Sequence, residues 1–203
     1  ARSAGAEVAY VCDVDEQRAA SAKKIVDERQ DRPARVVRDF RRILDDPNVD
    51  ALSIAAPNHW HAPATILACA AGKHVYVEKP GSHNPREAEL MVAAARKHDR
   101  RVQMGNQRRS YPALQEAMQR LREGVIGKVL SARCWYSNQR GSIGRVEPSE
   151  PPDYLDYEMW TGPAPMRPYN SLVHPRRWRS FMEYGNGIVG DMCIHMLDMV
   201  RWM

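Results

Sequence analysis

At 203 residues, with 43% apolar and 27% charged side chains, the chain can bury one sizeable core, or one domain plus part of another, which excludes global disorder. Its net charge of +5 comes from 24 Arg and 6 Lys interrupted by acids almost everywhere, with no block of five or six like charges, so nucleic acid is not an expected partner. Cys12, Cys69, Cys134 and Cys193 lie far apart with no C-x-x-C and no zinc-finger histidine spacing, which argues against a metal knot or a disulfide scaffold. No apolar run approaches a membrane span and the given N-terminus shows no charged-then-apolar leader; the cytoplasm is the default expectation, with export left open.

Ala1 to Gly5 reads as the last turn of a helix. From Ala6 to about Asn106, short apolar strands then alternate with amphipathic helices, the pattern of a parallel sheet covered on both faces. The expected strands are Glu7 to Cys12, Arg35 to Val37, Ala51 to Ala56, His74 to Val77 and Arg101 to Met104. A helix from about Ala62 to Ala71 should end at Gly72, in the C′ position. Asn84-Pro85-Arg86-Glu87 is a helix start, with an Asn cap, proline at the first helical position and a glutamate three residues after the cap. Further on, a helix is expected from Tyr111 to Glu123, a strand from Val129 to Tyr136 and a loop from Ser137 to Pro152; Trp160 to Pro165 is turn-rich, and Trp178 to Met203 is helix-forming.

Three places carry chemistry. Gly72 to Pro80 alternates as a strand and then sets Glu78, Lys79 and Pro80 at its exit, where open α/β sheets bind ligands. Gly190-Asp191-Met192-Cys193-Ile194-His195 separates an acid from a histidine by one helical turn, so both share a face. Asp13 ends the strand that, in a dinucleotide-binding unit, supplies the acid for the ribose hydroxyls; Asp15 is a rival, and Arg18 leaves NADP open. The glycine fingerprint at Gly185 to Gly190 is not the cofactor loop, because no buried strand precedes it and no acid follows at about twenty residues. It reads instead as a flexible lead into the helix bearing Asp191 and His195.

With Pro57-Asn58-His59-Trp60-His61, Ala71 to Pro80 and Gly190-Asp191-x-x-x-His195, the chain resembles the Gfo/Idh/MocA oxidoreductases over essentially all of its length. The resemblance implies a truncated Rossmann-type parallel-sheet domain over 1–107 and part of an α/β domain with a mostly antiparallel sheet over 108–203. It implies that the first strand and its G-x-G-x-x-G loop precede residue 1, that most of the second sheet follows Met203, and that the 203-residue piece alone binds nicotinamide poorly or folds unstably.

The resemblance also assigns roles. Lys79 and His195 would flank the reacting carbon, with His195 taking the hydroxyl proton, Lys79 hydrogen-bonding the same oxygen, and Asp191 binding a neighbouring hydroxyl or orienting His195. Pro57, Asn58, His61, Glu78, Lys79, Asn106 and Gln107 would line NAD, with NADP open, and Asp13 would favour NAD by repelling a 2′-phosphate. Tyr136, Arg177 and Trp178 are candidates for the substrate cleft. Competing readings are a lysine at a solvated strand end, an ordinary i,i+4 contact for Asp191 and His195, a helix cap for His61, a turn-forming Asn106 and core packing for the aromatics. His59 and Trp60 receive no role. The implied activity is oxidation or reduction of a sugar, inositol or related polyol by a homo-oligomeric enzyme, dimer or tetramer. The alternatives are redox-assisted glycoside hydrolysis with retained NAD and a non-catalytic cofactor or sugar sensor.

Overall fold

Strand-forming sequence in the first half builds two parallel pieces of sheet, as seen in a computed structural model that describes residues 5–137 and 141–203. Strands β1 (Tyr10–Cys12) and β2 (Arg35–Val37) pair with each other. β3 (Ala51–Ile54), β4 (His74–Glu78) and β5 (Val102–Gly105) form a second sheet in the order β3-β4-β5. All pairings are parallel, connected by α1 (Glu16–Asp27), α3 (Asn58–Ala70) and α4 (Pro85–Lys97), with the short α2 (Arg41–Leu44) after β2. Among the described residues, one edge of β1 and one edge of β3 are unpaired. Both line a single cavity of about 3030 Å³, where a dinucleotide-binding sheet places the strand that joins its halves.

The alternation in β4 explains the core beneath the site. Val75 and Val77 are buried, while Tyr76 between them faces outward. Ile54, Ala62, Ala68, Cys69 and Met91 pack with them, small residues on α3 letting the helix lie close to the sheet. Helix ends follow local chemistry. Asn84 Oδ1 accepts from the Glu87 amide at 3.0 Å, the N-cap bond, and Glu87 Oε2 accepts from the amide of His83, one residue before the cap, at 2.8 Å. Gly72 takes a φ of 78° just past the end of α3. That helix begins four residues earlier than the pattern suggested, with Pro63 inside it.

The second half has a different core. α5 (Pro112–Arg122) is followed by α6 (Tyr157–Thr161), and Leu155, Tyr157, Trp160, Tyr169, Trp178 and Tyr184 form a largely aromatic cluster. The strand expected over Val129 to Tyr136 does not form: these residues carry no regular secondary structure, Leu130 is 85% and Trp135 70% exposed, and no described strand lies alongside to pair with them. Alternation makes a strand only when a neighbouring edge satisfies its amides and carbonyls. The loop expected at Ser137 to Pro152 is irregular where described, residues 138–140 lying outside the described residues, as do residues 1–4 of the expected opening turn. The chain ends in a π turn, Val189–Cys193, running into α7 (Ile194–Trp202).

Candidate active site

Lys79 and Asp191, separated by 112 residues, meet where β4 exits. Lys79 Nζ donates to the Asp191 carbonyl at 2.6 Å and to its Oδ1 at 3.0 Å, and the two side chains are 16% and 15% exposed. The peptide between Lys79 and Pro80 is cis. A π turn interrupts the regular helical ladder, and the Asp191 carbonyl inside it is turned to the ammonium. Arg179 Nε approaches the same carboxylate oxygen at 3.6 Å. His195, at the start of α7, is 6% exposed; burial first, then the charges of Lys79 and Arg108, hold its pKa below 6.5, against the opposing pull of Asp191 and Glu78. Helix α7 is moored from outside: Arg109 grips Asp198 in a fork at 2.8 to 3.1 Å, and Arg122 reaches the Trp202 carbonyl at 2.8 Å.

The Asn58-His59-Trp60-His61 run is spent on tying segments together. Asn58 Nδ2 donates to Asn186 Oδ1 at 3.0 Å. Trp60 Nε1 donates to the Trp160 carbonyl at 3.0 Å, and His59 Nε2 lies 3.0 Å from the same oxygen. These two residues, unassigned from sequence, dock the aromatic core onto α3. Gly162, with φ 49°, lies so close that a Cβ there would sit 2.0 Å from the Trp60 ring. His61 is 1% exposed, its ring nitrogens 2.6 Å from the Pro80 carbonyl and 2.8 Å from that of Ala56, so it braces the turn after Lys79 and has no ring nitrogen turned to a ligand.

Other candidates fall at the strand exits or on the cavity. Asp13 is partly buried, and burial raises its pKa although the Asp15 amide donates to Oδ1 at 2.9 Å. Asp15 is committed elsewhere, capping α1 and pairing with His174 Nε2 at 2.7 Å; burial opposes its charge, but His174 and the α1 amides outweigh burial and lower its pKa. Arg18 leans on Asp15 at 3.6 Å. Glu78 closes β4 opposite Gly105, and Gln107 opens an exposed 3-10 turn. Asp13, Pro57, Tyr136, Arg177 and Asp191 share the wall of the large cavity, to which Asp191 links Lys79. Trp178 also reaches that wall but is 6% exposed and belongs to the aromatic core, and Arg177 Nη1 holds the Ile143 carbonyl at 2.8 Å.

Comparison with known proteins places the chain in a family. Residues 1–106 match the Gfo/Idh/MocA model described as an oxidoreductase family with an NAD-binding Rossmann fold, and 129–203 match its C-terminal alpha/beta domain. The chain belongs to the Gfo/Idh/MocA oxidoreductase family. It is 31% identical over 166 residues to levoglucosan dehydrogenase of Pseudarthrobacter phenanthrenivorans, covering 81% of this chain and 35% of that protein. It is 38% identical over 135 residues to inositol 2-dehydrogenase of Acidothermus cellulolyticus, covering 66% and 38%. Among solved structures, levoglucosan dehydrogenase in complex with NADH and levoglucosan aligns with a TM-score of 0.65 at 27% identity, over 96% of this chain and 44% of that one. The chain thus spans well under half the length of these relatives.

The NAD-binding fold of a Gfo/Idh/MocA protein calls for polar groups at the strand exits, and this chain has them. Asn106 Oδ1, at the exit of β5, is buried without a protein partner, an acceptor suited to a carboxamide N–H. Asp13 offers a carboxylate with one oxygen engaged by an amide, and the cavity begins beside it. The glycines at 185 and 190 serve packing: a Cβ at Gly185 would lie 2.8 Å from the Arg179 backbone, and one at Gly190 2.5 Å from Asn186 Cβ. Within the lead they form, Asn186 makes two side-chain hydrogen bonds, to Asn58 and to the His83 carbonyl. Among the described residues no group of histidine, cysteine and carboxylate side chains gathers as a metal set, and no helix is long and apolar enough to cross a membrane.

Proposed function

We propose that this protein transfers hydride between NAD and a hydroxyl-bearing carbon of a sugar, inositol or related polyol, with residues 1–107 supplying the cofactor-binding part and 108–203 the catalytic part. The observation that carries the reading is the contact of Lys79 with Asp191 beside buried His195. Levoglucosan and inositol dehydrogenases among the relatives support a polyhydroxylated substrate.

The nicotinamide, when bound, supplies the hydride acceptor. Asp13 accepts from the ribose hydroxyls and disfavours a 2′-phosphate, and Pro57, Asn58, Glu78, Asn106 and Gln107 frame the strand-exit surface. His195, kept neutral by burial and neighbouring cations, removes the hydroxyl proton. An ammonium has three donors, and Lys79 uses two on Asp191; the third is left to stabilise charge developing on the substrate oxygen. Asp191 keeps that ammonium aimed. Tyr136 and Arg177 flank the sugar.

The test is NADH absorbance with a panel of polyols and anhydrosugars in the full-length protein. Reduction of NAD that disappears in His195→Ala supports the reading. Glycoside cleavage without net NADH would move the protein to redox-assisted hydrolysis.

A further inference from the structure

Asn58, Asn186 and His83 form a hydrogen-bonded chain that no sequence motif announces. Asn58 Nδ2 donates to Asn186 Oδ1 at 3.0 Å, and Asn186 Nδ2 donates to the His83 carbonyl at 2.7 Å. The first link reaches the start of α3, just after β3; the second reaches the loop that follows Lys79 and Pro80 into α4. On its other side Asn186 underlies the π turn. The Gly190 amide donates to the Asn186 carbonyl at 3.3 Å, and only the missing Cβ of Gly190 lets that turn settle on the Asn186 side chain. One amide therefore touches two strand-exit loops and the turn that presents Asp191.

We propose that Asn186 is a positioning residue that sets the turn and helix carrying Asp191 and His195 in register with Lys79. The inference rests on the proposed hydride transfer only in taking those three residues as the reacting set. A lead containing Gly185, Gly187 and Gly190 has little conformational restraint of its own. Two side-chain hydrogen bonds supply it, one through oxygen and one through nitrogen, and only an amide offers both. Aspartate, of the same shape, keeps an oxygen for Asn58 but sets another against the His83 carbonyl. That contact is repulsive until the carboxyl is protonated, when its O–H can donate to the same carbonyl.

The prediction is read in the full-length protein with Asn186→Asp and Asn186→Ala. At neutral pH, Asn186→Asp should lower kcat by about 10- to 100-fold, the scale of an ångström-sized misplacement of reacting groups, with KM for NAD nearly unchanged. The deficit relative to wild type should shrink as pH falls and the introduced carboxyl gains its proton, whereas that of Asn186→Ala should not. The ionisable groups around the site are His83 and Glu87 at the entry to α4, His59 on α3, Lys79 after β4, and Arg179, Glu183 and Asp191 on its own segment; all remain in wild type and in Asn186→Ala, which serve as controls. A kcat deficit in Asn186→Asp that does not vary with pH, or variants that lose only thermal stability and keep kcat, would overturn the proposal. A second readout needs no turnover: in Asn186→Ala the His195 ring, followed by NMR, should titrate closer to 6.5 than in wild type, and an unchanged titration also overturns it. If wild type reduces no NAD with any polyol but the His195 titration still moves, hydride transfer falls and the positioning role stands.

Discussion

Replacing Lys79 by Met keeps most of the side-chain volume and removes the ammonium that joins the two halves of the site. At 3.0 Å and an effective dielectric constant of about 20, the attraction to Asp191 is about 5.5 kcal/mol before desolvation is charged against it. Breaking a buried pair costs about 3–5 kcal/mol when the survivor is left alone. Here Asp191 keeps Arg179 at 3.6 Å and about a seventh of its side-chain surface, so a loss of about 2 kcal/mol in stability is expected. The kinetic effect should be separate and larger: losing one donor to a developing oxyanion lowers kcat by about 10²- to 10³-fold, or about 2.7–4 kcal/mol. A third effect follows from sign. Lys79 is one of the charges that disfavour a proton on His195, so its removal should raise the acid limb of kcat/KM toward 6.5. NADH formation followed from pH 5 to 9, with urea midpoints at constant m, separates the three. Turnover near wild type, or a limb that moves down in pH, would refute the assignment of Lys79 and its coupling to His195.

As the proposed base, His195 must be neutral, and its pKa lies below 6.5, so activity should hold through neutrality and fall only at lower pH; an acid limb above 6.5 contradicts this. The same shift makes a stability statement: the unfolded histidine takes a proton first, so His195 lowers stability as pH drops below 6.5, and His195→Gln should flatten that slope in urea titrations. Gly162→Ala must move the Trp60 ring and adopt a strained φ, a cost of about 3 kcal/mol that a thermal melt would show, whereas a loss under 1 kcal/mol would deny the close docking of α6 on α3. Asp13→Ala should narrow the preference for NAD over NADP at least tenfold in kcat/KM; an unchanged ratio would take the ribose role away from Asp13.

Much of the first half was legible because its information is local. Apolar alternation marked every described strand of the parallel sheets to within a few residues, Asn84 announced its helix cap, and Gly72 its left-handed turn. Val129 to Tyr136 misled for the same reason: alternation reports which residues could face one way and is silent about whether a neighbouring edge exists. His59, Trp60, His61 and Asn186 were unreadable in their roles because the carbonyls and amides they bind are brought to them by folding, as with Trp160, one hundred residues from Trp60.

From the sequence alone came the parallel α/β architecture, the resemblance to the Gfo/Idh/MocA family and the candidate trio of Lys79, Asp191 and His195, since strand periodicity and motif spacing are written in neighbouring residues. Only the tertiary structure decided that Lys79 grips both the carbonyl and the carboxylate of Asp191, that a π turn presents them, and that Asp15 belongs to His174 while Asp13 faces the cavity. Those outcomes depend on which buried polar group finds which partner across more than a hundred residues, and the low dielectric of the packed interior makes each pairing decisive.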